Sequence, residues 1–198
     1  MHERVIGIYR EMAAAFDRRR GRSLFEKAWL DRFASHLPKG GSILDIGCGM
    51  GEPIARYLIE LGFNITGADA SAALIAMCRE RFPEQEWLVG DMRRLALGRQ
   101  FDGVLAWHSL FHLHPGDQRP MFARFDEHAR PGAMLMFTSG PQAGEDIGEF
   151  EGEPLYCASL APAEYRALLA ENGFEVVDHA ADDAECGGAT VWLARKTP

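Results

Sequence analysis

The sequence lacks the features that would place it in several specialised classes of protein. Its 198 residues contain no apolar run long enough to span a membrane, and the first twenty residues mix charges with apolar positions, unlike a secretory signal. Internal repeats and low-complexity tracts are missing too. The four cysteines, Cys48, Cys78, Cys157 and Cys186, show no C-x-x-C spacing, so neither a zinc site nor a disulfide framework is predicted. A reducing cytoplasm is therefore the expected location.

The chain also has fewer basic than acidic residues. The chain has 21 basic and 29 acidic residues, for a formal net charge of −8. Nucleic-acid binding needs a basic surface, so the charge balance argues against a nucleic-acid partner and favours a small molecule. The length predicts a single domain over residues 1–198, and we expect a monomer or a weak dimer.

Short apolar runs alternate with amphipathic ones along most of the chain. The seven candidate strands are Ser42–Ile46, Asn64–Asp69, Glu86–Val89, Phe101–Trp107, Ala133–Ser139, Phe174–Ala180 and Ala189–Arg195. Helical patterns cover Pro53–Glu60, Ala72–Arg81, Asp117–His128 and Ala161–Asn172. This alternation predicts an α/β fold with a doubly wound, mostly parallel sheet and helices on both faces. The last two candidate strands have no helix between them and should pair as an antiparallel hairpin at one edge.

Two flanking segments lie outside this pattern. Before the first strand, "GIYREMAAAF" and "SLFEKAWLDRFASHL" predict amphipathic helices that form a cap over residues 1–40. The intervening "RRRGR" (residues 18–22) is typical of a solvated hinge, with binding of a substrate carboxylate as the alternative. Gly140–Ser159 has no strand or helix period and predicts a long loop, so residues 140–160 are a candidate lid; a decorative insertion is the alternative.

The stretch "ILDIGCGMGE" (residues 43–52) carries the main functional signal. Gly47, Gly49 and Gly51 follow a predicted strand, where glycines let backbone N–H groups approach a ligand, and Asp69 ends the next strand at the spacing of a ribose-binding acid. This arrangement predicts an adenosine-type cofactor. The acids Asp45 and Glu52 would repel a pyrophosphate but suit the ammonium and sulfonium of S-adenosylmethionine. A nicotinamide cofactor is the alternative, opposed by the G-x-G-x-G spacing.

The chain resembles the class I S-adenosylmethionine-dependent methyltransferases at this motif and beyond it. "LDIGCGMGE" is similar to the first motif of that family, "TGADAS" (residues 66–71) to its ribose-binding acid, and "VGDMRRL" (89–95) to its adenine-binding loop. "FDGVLAWHSLFHL" (101–113) and "ARPGAMLMFT" (129–138) resemble its fourth strand with the substrate-facing turn and its fifth strand. The resemblance implies a Rossmann-like methyltransferase fold with seven strands, the last of them antiparallel.

The resemblance also implies a set of cofactor-binding residues: Asp45, Gly47, Cys48, Gly49, Gly51, Asp69, Ala70, Asp91, Met92 and Trp107. The glycine loop and Asp45 would face the methionine portion, and Asp69 would hold the ribose hydroxyls. Ala70, Asp91 and Met92 would surround the adenine, and Trp107 would border cofactor and acceptor. Helix capping is the alternative role for Asp69, although Ser71 fits that role as well, and turn capping is the alternative for Asp91.

Acceptor-side residues are less clearly marked. His108 and His112 are candidate general bases, and Tyr9, Trp29 and His108 are candidate substrate contacts. Capping and solvent exposure are the alternative roles for the histidines, and core packing is the alternative for the two aromatic residues. No carboxylate cluster accompanies the histidines, so no metal site is expected.

The predicted function is methyl transfer from S-adenosylmethionine to a small-molecule acceptor, by in-line displacement onto an O, N, S or C atom. The alternatives are an NAD(P)-dependent oxidoreductase and a non-catalytic S-adenosylmethionine-binding protein. No motif identifies the acceptor, because the resemblance lies in the cofactor half of the chain.

Overall fold

The computed structural model describes residues 4–198. Nine strands are present in this range: β1 Ser42–Ile46, β2 Asn64–Asp69, β3 Glu86–Val89, β4 Phe101–Ala106, β5 Ala129–Ser139, β6 Gly144–Phe150, β7 Glu153–Ser159, β8 Phe174–Asp183 and β9 Ala189–Lys196. Seven α-helices accompany them: α1 Arg4–Glu11, α2 Ala13–Arg19, α3 Lys27–Ser35, α4 Ile54–Glu60, α5 Ala72–Arg81, α6 Pro115–His128 and α7 Pro162–Glu171. None of the helices within residues 4–198 is long and apolar enough to cross a membrane.

The main sheet has seven strands in the order β3-β2-β1-β4-β5-β9-β8. The first five are parallel, while β9 runs antiparallel to both β5 and β8. The prediction of a doubly wound, mostly parallel sheet with an antiparallel last strand is confirmed. The strand order reverses between β1 and β4, and in open α/β sheets this switch point places a crevice at the carboxyl ends of the strands.

The sheet is buried on both faces, which explains the apolar strand sequences. Along β5, Leu135 and Phe137 belong to one apolar cluster while Met134 and Met136 belong to the cluster on the opposite face. Successive side chains of a strand point to opposite faces, so a strand between two helical layers needs consecutive apolar residues. The core thereby fixes the carboxyl ends of the central strands rigidly beneath the crevice.

Helix α3 packs against this sheet and corrects one expectation. Its residue Trp29 is 2% exposed, lies in the apolar cluster with Phe33, and donates its indole N–H to Asp183 at 2.8 Å. The indole therefore faces the sheet, away from the crevice. The prediction that Trp29 contacts substrate does not fit this position, and core packing accounts for the residue instead.

The segment predicted as the loop Gly140–Ser159 instead contains the antiparallel hairpin of β6 and β7. Glu151 and Gly152 adopt positive φ angles at its tip, which suits a tight hairpin turn. Most of β6 is exposed, so its pairing depends on backbone hydrogen bonds and leaves no alternating apolar pattern in the sequence. The prediction of an aperiodic loop was therefore wrong.

The described part of the predicted cap, residues 4–40, rests on this hairpin. Val5 of α1 packs with Tyr156 and Ala158 of β7, and the Tyr9 ring stacks on Phe150 of β6 with 6.1 Å between ring centroids. Arg19 of α2 forms an ion pair with Glu151 at 2.5 Å. The cap and the hairpin thus form one continuous cover beside the carboxyl ends of the sheet.

Candidate active site

A cavity of about 330 Å³ lies between the carboxyl ends of the strands and this cover. The structure brings together in its lining all the predicted cofactor residues, namely Asp45, Gly47, Cys48, Gly49, Gly51, Asp69, Ala70, Asp91, Met92 and Trp107. His108, His112 and Tyr9 line the same cavity, whereas Trp29 does not. Residues from distant parts of the sequence therefore converge on one site.

The glycine loop is shaped so that side chains would not fit. Gly47 has a φ of +79°, and a Cβ added there would lie 2.3 Å from Cβ of Ser109. Gly49 has a φ of +58°, and a Cβ there would lie 3.3 Å from the ring of Phe16. Since the N–H groups of Gly47 and Cys48 donate to the carbonyl of Ala68, the loop is also tied to β2. Positive φ angles and the close packing of Ser109 and Phe16 therefore account for glycine at these two positions of the cavity lining.

Asp69 connects two loops of the site. Its carboxylate accepts hydrogen bonds from the N–H of Gly49 at 3.0 Å and from the N–H of Ser71 at 2.8 Å. Burial raises the pKa of this carboxyl, and the two backbone hydrogen bonds oppose the rise. The cap of α5 is Ser71, whose hydroxyl accepts from the N–H of Leu74, so the capping alternative does not account for Asp69.

Asp45 adds a second buried acid to the cavity. It is 4% exposed, and burial together with the nearby negative charge of Asp69 raises its pKa to about 7. Two carboxyl groups in a poorly hydrated site favour a cation, because a positive charge relieves both the desolvation and the mutual repulsion. This part of the cavity suits an ammonium or sulfonium group.

Asp91 caps a short turn, as the alternative interpretation required. It accepts from the backbone N–H of Arg93 at 3.0 Å and forms an ion pair with the Arg93 guanidinium at 2.6 Å. Burial alone would raise the pKa of Asp91, but these contacts with Arg93 lower it. Asp91 also belongs to the cavity lining, so capping and the predicted contact with adenine are compatible.

Trp107 presents an unused donor. Its side chain is 5% exposed, and its buried indole N–H has no hydrogen-bond partner among residues 4–198. A buried donor without a partner carries a free-energy cost on the order of 1–3 kcal/mol. A ligand with an acceptor atom in this cavity would remove that cost.

His112 is held in a defined tautomer. Its Nδ1 lies 3.0 Å from the carbonyl oxygen of Tyr156, which only accepts, so Nδ1 carries the hydrogen. In the neutral ring Nε2 is then the acceptor, and the Tyr9 hydroxyl donates to it at 3.1 Å. Burial lowers the pKa of His112 and keeps the ring neutral, although the hydrogen bond to Tyr156 opposes this effect.

His108 and His114 have different surroundings. His108 adopts a φ of 48°, and burial followed by the nearby positive charge of Arg20 lowers its pKa to about 4. His114 caps α6, where its Nδ1 accepts from the N–H of Gly116 at 3.1 Å. No group of three or more His, Cys, Asp or Glu side chains suited to a metal ion occurs within residues 4–198.

Several lining residues were not predicted from the sequence. Leu155 and Cys157 come from β7, which had been assigned to a loop. They are two residues apart, the spacing of side chains on one face of a strand, and this spacing was the available signal in the sequence. Arg20 reaches the cavity from the segment assigned to a solvated hinge. Ser109 holds the glycine loop by donating to the carbonyl of Ile46 at 2.7 Å, a contact between distant residues that no local pattern marks.

The strand order and the glycine loop over a cavity with two buried acids define a class I methyltransferase domain rather than a dinucleotide-binding oxidoreductase. The comparisons with known proteins agree. The family model described as a methyltransferase domain matches residues 43–132. The chain belongs to the class I S-adenosylmethionine-dependent methyltransferases, as its motifs predicted.

Individual relatives cover the chain to different extents. An N,N-dimethyltransferase acting on dTDP-3-amino-3,4,6-trideoxy-alpha-D-glucopyranose, from Streptomyces venezuelae, is 31% identical over 75% of this chain and 66% of its own length. The trans-aconitate 2-methyltransferase of an Azoarcus species is 29% identical over 79% of this chain and 68% of its own length. The match to a second amino-sugar N,N-dimethyltransferase, from Streptomyces fradiae, spans only 40% of that protein.

A solved structure supports the fold. The amino pentose methyltransferase CalS10 of Micromonospora echinaspora, with S-adenosylmethionine bound, superposes with a TM-score of 0.72 and 22% identity, covering 93% of this chain and 96% of that one.

Proposed function

We propose that this protein transfers a methyl group from S-adenosylmethionine to a small-molecule acceptor. The observation that carries the proposal is the cavity itself, whose lining joins the glycine loop, Asp45 and Asp69 with His108 and His112. S-adenosylmethionine supplies a methyl group bound to a positively charged sulfur, which makes that methyl electrophilic. Alignment of an acceptor atom with this methyl accounts for much of the rate of such a reaction.

The chain's own residues fit such a cofactor. Gly47 and Gly49 line the cavity, the carboxylate of Asp69 offers lone pairs to ribose hydroxyls, and the acid Asp45 suits a cationic amino group. The unpartnered N–H of Trp107 supplies a donor at the end of β4. Asp91 and Met92 complete the predicted adenine end.

His112 is the better candidate for a general base. Its Nε2 carries the basic lone pair of the neutral ring, and the carbonyl of Tyr156 holds the ring in orientation. The hydroxyl of Tyr9 now occupies that lone pair, so an acceptor that gives its proton to His112 must displace Tyr9. Because Tyr9 belongs to α1, binding of the acceptor is coupled to the position of the cap.

Binding of the cofactor should release a proton near neutral pH. The pKa of Asp45 is about 7, so at pH 6.5 most of these carboxyl groups are protonated; a bound ammonium lowers that pKa and expels the proton. Calorimetry of S-adenosylhomocysteine binding in buffers of different ionisation enthalpy measures the release. It should be large at pH 6.5 and small at pH 8.5, and Asp45→Asn should abolish the difference. Equal release from both proteins would remove Asp45 from the methionine end.

We further propose that the cap and the hairpin act together as a lid. Aromatic stacking of Tyr9 on Phe150 and the ion pair of Arg19 with Glu151 join them. Hydrogen exchange with and without S-adenosylhomocysteine should show gained protection in α1, α2 and β6–β7, while the remote edge strand β8 serves as the internal control. If neither the cap nor the hairpin gains protection, they are static packing and the lid proposal fails.

A methyl-transfer screen tests the function as a whole. The protein is incubated with isotopically labelled S-adenosylmethionine and a metabolite mixture, and the products are identified by mass spectrometry. Labelled product that disappears with Asp69→Asn supports the enzyme; binding without transfer to any acceptor supports the non-catalytic alternative. Trans-aconitate and amino sugars, the substrates named for the relatives, belong in the panel.

We also propose a cytoplasmic location and a monomer or weak dimer. The four cysteines are free, as expected of a reducing compartment. The exposed large apolar side chains in residues 4–198 lie on separate elements: Phe25, Leu61, Val89, Ile147 and Val177. Scattered apolar residues of this kind do not make a large obligate interface. Light scattering coupled to size exclusion measures the oligomeric state.

A further inference from the structure

An ion pair between Arg20 and the buried Glu26 borders the cavity. Arg20 lines the cavity with a side chain that is 18% exposed, and its Nη2 donates to Oε1 of Glu26, whose side chain is completely buried. The guanidinium also lies over the ring of Phe25, at 5.5 Å from its centroid. Two contacts thus fix one arginine at the surface of the cavity.

This ion pair is not explained by stability alone. Oε2 of Glu26 is buried and has no hydrogen-bond partner among residues 4–198. Desolvating two charges costs about as much as their attraction returns, and apolar replacements of buried pairs are often equally stable. A buried acid whose second oxygen is unsatisfied is therefore better understood as a device that holds Arg20 in place.

Arginine held in this way is suited to one ligand chemistry. The guanidinium is a planar fork of N–H donors that matches the two oxygens of a carboxylate, and the bond to Glu26 uses only one of its nitrogens. The charge of Arg20 lies close enough to His108 to lower the pKa of that ring. Arg20 and His108 both line the cavity, so a ligand bound there can meet both side chains.

We propose that Arg20 binds the carboxylate of a small molecule in this cavity, and that Glu26 is the positioning residue that orients Arg20. This inference rests on the proposed function, because the carboxylate belongs either to the methionine end of the cofactor or to the methyl acceptor. Both sources present the same chemistry to the guanidinium, and an experiment separates them.

Binding of two ligands to three proteins provides the test. S-adenosylhomocysteine carries the amino-acid carboxylate, whereas 5′-methylthioadenosine lacks it; calorimetry measures the affinity of both for the wild type, Arg20→Gln and Arg18→Gln. Arg18 is exposed and outside the cavity lining, so its variant controls for the loss of one positive charge. A carboxylate from the cofactor predicts that Arg20→Gln weakens S-adenosylhomocysteine binding on the order of 10- to 100-fold and leaves methylthioadenosine binding unchanged.

An acceptor carboxylate predicts a different result. Both nucleosides then bind Arg20→Gln normally, and the loss appears in KM for acceptors compared as free acid and amide: the wild type and Arg18→Gln prefer the acid, and Arg20→Gln loses that preference. The proposal is overturned if neither the ligand pair nor the acid-to-amide ratio responds, or if both nucleosides weaken equally. Failure of the wild type to bind S-adenosylhomocysteine would instead count against the proposed function.

Glu26→Gln tests the positioning role. The amide keeps the shape of the side chain but weakens its hold on the guanidinium, so affinity for the same carboxylate ligand should fall by less than in Arg20→Gln. In the double variant the Glu26 change should add nothing further, because the residue it positions is already gone. An additive loss in the double variant would show that Glu26 affects binding independently of Arg20, which would overturn the positioning role.

Discussion

Replacing Asp69 with Asn should weaken binding of S-adenosylhomocysteine on the order of 10- to 100-fold. The exchange removes the negative charge from a group that anchors the N–H of Gly49 and is predicted to accept from ribose hydroxyls; hydrogen bonds to a charged group contribute about 1.5–3 kcal/mol. Calorimetry on the purified protein measures the affinity directly.

Asp102→Asn is a matched control. Asp102 lies near the amino end of β4, at the opposite end of the strands from the cavity, and its carboxylate also accepts a backbone hydrogen bond, from Ser42 at 2.8 Å. Its variant should bind as the wild type does. Equal affinity of Asp69→Asn and wild type, with both proteins folded by circular dichroism, would exclude Asp69 from the cofactor site.

Replacing His112 with Gln should lower kcat by about 10²- to 10⁴-fold for an acceptor that loses a proton, while affinity for S-adenosylhomocysteine stays within a few-fold. Glutamine keeps a donor for the carbonyl of Tyr156 but offers no basic nitrogen. His108→Gln is the matched variant on the same turn, and it should retain most of the activity. The reverse pattern would assign the base to His108, which the sequence left as an equal candidate.

The pH profile gives a second measurement of the same residue. Burial lowers the pKa of His112, so the unprotonated ring needed for proton abstraction persists to lower pH than an ordinary imidazole would allow. The wild-type rate should therefore begin to fall only below the usual titration range of histidine. A decline centred in or above that range would point to another group.

The candidate cofactor half of the cavity lining could be predicted from the sequence because its signals are local. Glycines at Gly47 and Gly49 reflect backbone angles that other residues adopt at a cost, and Asp69 follows from its place at the end of a strand. The parallel sheet was similarly visible, since strands buried on both faces need continuous apolar runs.

The candidate acceptor half of the cavity lining could not be predicted in the same way. The hairpin of β6 and β7 is stabilised by backbone pairing and by packing on α1, neither of which leaves a period in the sequence of β6. The tautomer of His112 depends on a carbonyl of that hairpin, and the position of Arg20 depends on Glu26 beyond the hinge. These are tertiary contacts between segments whose local patterns are weak. Trp29 is the converse case: the sequence made it a candidate substrate contact, but its tertiary contacts place it in the core.

The placement of β9 between β5 and β8 has a consequence for how the molecule is made. Strand β8 joins the main sheet only through β9, although β9 comes later in the chain, and the completely buried Trp192 lies on that inserted strand. During synthesis β8 therefore emerges from the ribosome before β9, and it has no strand of the main sheet to pair with until β9 has emerged. The hairpin of β8 and β9 is local, whereas β9 pairs with β5 across a long stretch of sequence, and such non-local pairing is slow. The nascent protein is therefore most vulnerable to aggregation while the edge of β5 is exposed before β9 pairs with it.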